Sequence, residues 1–172
     1  MTALDALKAI KSFIEKEIAS EIELQKEQAD PPEYVNPYVS IITLPHKNFM
    51  PVNFQVPHIL IGVENGTDDT SEHVLRIRIA CATYGGDVDF QEQNNIPDEK
   101  GYLDLLTLLE RIKAKLISEA IIEGDCVVVK PITYGIYDEQ LTYPYWYGYL
   151  QFAVQIQIVE AKLTEDIREK YL

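Results

Sequence analysis

Apolar residues recur every three or four positions in two stretches of the chain, and this spacing predicts two amphipathic helices. The first is expected from Leu4 to Gln25, inside an N-terminal helical segment of residues 4–28. Pro31 and Pro32 follow it, and proline cannot continue a helix because it lacks a backbone donor. The second helix is expected from Gly101 to Glu123 and should lie in the core.

Apolar and polar positions alternate in the segments around the second helix, which is typical of β-strands with one buried face. The strands are expected at Tyr38–Leu44, Ile59–Glu64, Leu75–Thr83, Cys126–Lys130 and Trp146–Val159. Asn65–Thr70 has turn chemistry and predicts an antiparallel hairpin between the second and third strands. Pro131 is expected to end the fourth strand. The last strand would be about 46 Å long, so it should bend at Gly148 or project beyond its neighbours.

The resulting order is α-β-β-β-α-β-β, and it predicts an α+β fold. Two main helices would pack on a sheet that is mainly antiparallel or mixed. Residues 1–172 are expected to form a single domain, with a core of residues 35–160 and a tail or short C-terminal helix within residues 161–172.

The charge of the chain narrows the classes of function. Its 172 residues include 28 Asp and Glu against 15 Lys and Arg, a formal net charge of -13. Such a surface repels phosphate polymers, so nucleic-acid binding is not expected as the main role. Apolar runs fall far short of the roughly 20 residues that a membrane helix needs. The N-terminus lacks the pattern of a secretory signal, and Cys81 and Cys126 stand in apolar strands, so the chain is expected in the cytoplasm with reduced thiols.

Motifs for catalysis are missing from the sequence. His46, His58 and His73 are far apart and are not paired with a cysteine or a second histidine at metal-ligand spacing. Phosphate-binding loops, calcium loops and a nucleophile elbow are also lacking. The sequence therefore predicts no catalytic residue, no cofactor and no metal, and a protein that is not an enzyme.

A concentration of aromatic residues points instead to protein contacts. Tyr134–Tyr149 holds six of the eleven tyrosines and the only tryptophan, and such rings are enriched at interfaces. Neutral polar residues follow on the last strand, and two arginines lie on the non-core face of the third. The candidate interface residues are Arg76, Arg78, Tyr143, Tyr145, Tyr147, Tyr149, Gln151 and Gln155. Two alternatives remain: the rings pin their own strand to the core, and the arginines pair within the chain.

Several short segments resemble a known family. They are Pro57–Asp69, Ile77–Gly85, Gly101–Leu106, Asp138–Gln140 and Pro144–Gly148. Over residues 35–160, in matching order, they resemble the tail-terminator, or tail-completion, proteins of tailed phages and prophages.

The resemblance implies a structural protein of the virion neck, assembled in the cytoplasm of a host bacterium. It implies a ring of six copies that caps the tail tube and stops its growth. The partners would then be other copies of the chain, the tail-tube protein and the head-tail connector, with DNA only passing through the lumen and no membrane. One alternative is another neck component, such as a head-completion or head-tail joining protein. Another is a small acidic hydrolase or ligand-binding module with a pocket beneath the aromatic segment.

Overall fold

The computed structural model of the chain describes residues 1–43, 55–69, 73–85, 99–123, 126–137 and 143–156. The predicted C-terminal helix lies outside these residues. The helical elements are α1 (Ala3–Glu17), a 3-10 turn (Ala19–Glu21) and α2 (Lys100–Ser118). The strands are β1 (Leu24–Gln25), β2 (Tyr34–Val35), β3 (Tyr38–Ile41), β4 (His58–Asp68), β5 (His73–Tyr84), β6 (Ile121–Ile122), β7 (Cys126–Ile136) and β8 (Tyr145–Ile156).

Six strands form one sheet in the order β3-β4-β5-β8-β7-β6, and β1 pairs with β2 separately. All neighbours in the large sheet are antiparallel except β3, which runs parallel to β4. The predicted α+β class, with two helices and a mostly antiparallel sheet, is confirmed. The detailed order differs, since the short strands β1, β2 and β6 were not predicted.

The hydrophobic core lies between the two helices and one face of the sheet, which we call the helix face. It joins Ile10 and Ile14 of α1 and Leu109 of α2 to sheet residues such as Ile77 and Phe152. Alternation predicts the side of the sheet correctly on β5, where Leu75, Ile77, Ile79 and Cys81 are all buried.

Helix α1 ends at Glu17, so the prediction of a helix to Gln25 is wrong. The side-chain amide of Asn36 donates hydrogen bonds to the carbonyl oxygens of Ala19 (2.9 Å) and Ile22 (2.8 Å). The chain then pairs as β1 with β2. These long-range hydrogen bonds outweigh the helical spacing of the apolar residues, because helix propensity is a weak preference.

Two glycines, Gly85 after β5 and Gly101 at the start of α2, explain how closely the helix approaches the strand. A Cβ at Gly85 would lie 2.2 Å from the backbone nitrogen of Gly101, so only glycine permits this contact. The Thr83 hydroxyl donates a hydrogen bond to the Gly101 carbonyl (2.6 Å). Helix α2 ends at Ser118 rather than at the predicted Glu123, because residues 121–122 pair with β7.

Two further strand predictions are corrected by the pairing. Strand β7 continues through Pro131, where an irregularity in register between Val129 and Thr133 removes the proline from the ladder. Strand β8 is paired with β5 from Tyr145 to Ile156 and does not project beyond it over these residues, and the predicted end at Val159 lies outside the described residues. The β4–β5 hairpin is confirmed, although β4 is longer than predicted and reaches Asp68.

Candidate protein interface

The second face of the sheet, which we call the open face, carries the side chains of β5, β7 and β8 that point away from the core. Seven of the eight candidate interface residues lie on it, and Tyr143 precedes β8. Both helices contribute to the core on the other side. Arg76 and Thr133 are exposed, whereas Tyr147, Tyr149 and Gln151 are half-buried.

Small residues opposite large rings determine how the tyrosines lie on this face. Tyr149 is paired with Ala80 on one side and Gly135 on the other. A Cβ at Gly135 would lie 2.8 Å from the Tyr149 hydroxyl, so the ring lies directly over the glycine. Tyr147 is likewise paired with a small residue, Ala82 of β5. The neighbouring strands thus leave room for the rings to lie along the sheet.

Arg78 lies in a compact set of contacts that we call the Arg78 cluster: Glu64, Arg78, Tyr137, Tyr149 and Gln151. Arg78 Nε lies 2.5 Å from Glu64 Oε1, and Gln151 Nε2 donates to the same oxygen at 2.8 Å. The guanidinium lies 5.2 Å from the centroid of the Tyr149 ring, a cation-π distance, and Tyr149 lies 5.0 Å from Tyr137. Burial raises the pKa of Tyr137, and the nearby Arg78 opposes that shift. Arg78 is therefore paired within the chain.

Arg76 lies on the same face, two residues earlier on β5, in a different environment. Its side chain makes no ion pair and no hydrogen bond with another described residue, and the same is true of the Lys130 side chain. Both line a cavity of 210 Å³ that opens at the irregularity in β7, which we call the bulge cavity. Its other lining residues are Val129, Pro131, Thr133, Gln151, Phe152 and Ala153. Two cations thus face one concave site on a protein with an excess of 13 negative charges.

The tyrosines at the start of β8 contact their own chain. Tyr145 packs edge-on against Tyr84 with ring centroids 5.3 Å apart, and Gln28 Nε2 donates to its hydroxyl at 3.4 Å. Burial raises the pKa of Tyr145 to about 12, with a contribution from the carboxylate of Glu27. Burial also raises the pKa of Tyr147. The turn between β1 and β2 therefore holds this end of β8.

The rings on either side of Tyr145 also pack within the chain. Trp146 points to the core side, as strand alternation predicts, and lies 5.3 Å from Tyr102 of α2. Tyr143 lies edge-on to Trp146 at 6.5 Å. Gln155 is half-buried at the far end of β8, between Val74 and Val127.

Sequence reasoning missed three residues of this face: Glu64, Lys130 and Thr133. Glu64 was assigned to the end of a strand, and nothing local shows that an irregular register between Val63 and Asn65 brings it to Arg78. Lys130 and Thr133 were missed because Pro131 was expected to end the strand. A run of β-formers on both sides of that proline was the available signal.

Other kinds of site find little support within the described ranges. No group of three or more His, Cys, Asp and Glu side chains there could hold a metal ion. Neither α1 nor α2 is long and apolar enough to cross a membrane. Burial lowers the pKa of His58 to about 4, and its Nδ1 lies 3.1 Å from the Gln55 carbonyl oxygen. His58 does not line the bulge cavity, nor the cavity between the C-terminal ends of α1 and α2.

Comparison with known proteins adds no relative: no family model matches the chain, and no curated protein is significantly similar to it.

Proposed function

We propose that the chain is a structural protein of a phage or prophage tail. Copies of it form a ring that caps the tail tube and joins it to the head connector in the virion neck. The resemblance of five segments to tail-terminator proteins supports this role. The ring has no substrate and no turnover.

The observation that carries the proposal is the open face of the sheet. The described elements leave part of this face exposed, at Arg76 and Thr133, and it bears tyrosine rings, neutral glutamines and an arginine with no ion pair in the described ranges. Such a mixture of rigid amphipathic rings and arginine is typical of surfaces that meet another protein. A neighbouring subunit would cover it.

The charge of the chain is compatible with a channel for DNA. Every subunit adds 13 net negative charges to a ring, and a lumen of that sign repels a phosphate backbone. DNA would then pass without binding to the wall. The same charge opposes ring closure, so assembly should require salt or a partner that neutralises part of it.

Tube growth gives a direct test. The tail-tube protein of the genome that encodes this chain would be polymerised with and without the chain, and tube lengths and ends would be measured by electron microscopy. The proposal predicts shorter tubes with a ring-shaped density at one end. Tubes of unchanged length without an end cap would contradict it, and a ring that binds the head connector but leaves tubes uncapped would assign the chain to another neck component.

A further inference from the structure

The two lateral edges of the large sheet differ in charge. At one edge, β3 pairs with β4 only along His58–Ile61, and the rest of β4 continues into an exposed acidic segment, Glu64–Asp69. At the other edge, β6 pairs with β7 only at Cys126 and Val127. The bulge cavity extends from Lys130 on the open part of β7 across β8 to Arg76 on β5, which is paired with β4.

Both edges are poor templates for direct strand pairing between molecules. Strand β7 has Lys130, Pro131 and an irregular register at its open part, and β4 has an irregular register beside Glu64. Bulges, charges and proline are the usual means by which proteins keep sheet edges from adding a strand. A contact between these edges would therefore use side chains rather than a backbone ladder.

The carboxylates at the acidic edge are not equivalent. The side chain of Glu64 is held by Arg78 and Gln151 in its own chain. Asp68 is exposed and makes no ion pair with another described residue. Its carboxylate can therefore reach a neighbouring molecule.

We propose that the bulge cavity is a socket for the Asp68 carboxylate of a second copy of this chain. The cavity of 210 Å³ has room for a carboxylate and several waters, since one water occupies roughly 30 Å³. Arg76 and Lys130 supply positive charge to a partner whose exposed edge is acidic. This complementarity favours the chain itself as the occupant.

Socket and carboxylate are different patches of the chain, so each copy can receive one neighbour and enter another. Within the proposed ring each Asp68 would enter the cavity of the next copy, which is a head-to-tail contact, and head-to-tail contacts close into rings when the rotation between copies permits. The socket thus rests on the proposed ring and names its intersubunit contact.

Charge reversal tests the socket. Arg76→Glu and Asp68→Lys would each be examined by sedimentation velocity under conditions in which the wild-type protein associates. Each single variant should associate roughly tenfold or more weakly, because like charges then meet at the contact. The double variant, and an equimolar mixture of the two single variants, should recover association because each contact again joins opposite charges.

Matched controls make the same charge changes elsewhere on the surface: Lys8→Glu on α1 and Asp30→Lys in the β1–β2 turn, both at exposed positions. They should associate like the wild type. Circular dichroism melts would check folding, and Lys130→Glu would replace Arg76→Glu if that variant does not fold.

The outcomes separate the two proposals. Normal association of both single variants would overturn the socket and leave the ring standing. Weakened single variants without recovery in the double variant or in the mixture would also overturn the pairing of Arg76 with Asp68. A wild-type protein that stays a single subunit at every concentration and salt would overturn the ring and the socket together.

Discussion

The two faces of the sheet are built from the same strands, yet the described residues cover them to different extents. On the helix face, α1 and α2 bury an apolar layer from β4, β5 and β8. On the open face, Arg78 forms an ion pair with Glu64 of its own chain. Arg76 forms no ion pair with another described residue. Strand alternation determines the face on which a residue lies. The residues on neighbouring strands determine whether its charge has an oppositely charged partner.

The largest effect is expected on the helix face. Ile14→Asp would place a carboxylate at a position with no exposed surface, where it has no room for hydration. The free energy of unfolding should fall by about 4 kcal/mol or more, measured by urea denaturation. Leu4→Asp is the matched control on the same helix: Leu4 is 56% exposed, and that change should stay within about 0.5 kcal/mol. Equal losses in both variants would show that the α1 stripe is not buried as described.

His58 begins β4 and is buried, and the pH dependence of stability should reveal that burial. The pKa of His58 lies near 4 in the folded chain, below its ordinary 6.5, so the unfolded chain binds the proton more readily. Stability is therefore complete above pH 6.5 and falls as pH decreases toward 4, by about 2 kcal/mol between pH 7 and pH 5. Denaturation of wild type and His58→Gln at several pH values gives the comparison. The variant should have a flatter profile over this interval, and identical slopes would contradict a buried neutral histidine.

A smaller difference should separate the two arginines of β5. Arg78→Ala removes the contacts with Glu64 and Tyr149 and should cost the folded monomer about 1 kcal/mol. Arg76→Ala removes no such contact and should change stability by less than about 0.5 kcal/mol. Thermal and urea unfolding of both variants at low protein concentration would measure this contrast. A reversal of the order would show that the Arg78 cluster does not stabilise the fold.

Local patterns in the sequence identify the strand faces and the β4–β5 hairpin because period-two alternation survives in the folded sheet. They fail where a distant residue decides the outcome. Asn36 binds two carbonyl oxygens just after the end of α1 that a longer helix would use, and an irregular register admits Pro131 into β7.

The candidate site shows the same limit. Arg76 and Arg78 could be placed on one face from their spacing alone. Their different environments depend on the irregular registers of β4 and β7, which bring Glu64 to Arg78 and open a cavity beside Arg76. No local sequence pattern encodes these two contacts.

Sedimentation velocity of the wild-type protein across a salt series tests the central claim, self-association into a ring, most directly. At low ionic strength the net charge of -13 on each copy should keep subunits apart. Screening over about 10 Å at 0.1 M salt should then allow a species with the mass of six subunits to accumulate. Salt should weaken the short-range contacts at the bulge cavity less than it weakens the long-range repulsion between subunits. A single-subunit mass at every salt and protein concentration, unchanged when tail-tube protein is added, would contradict the account.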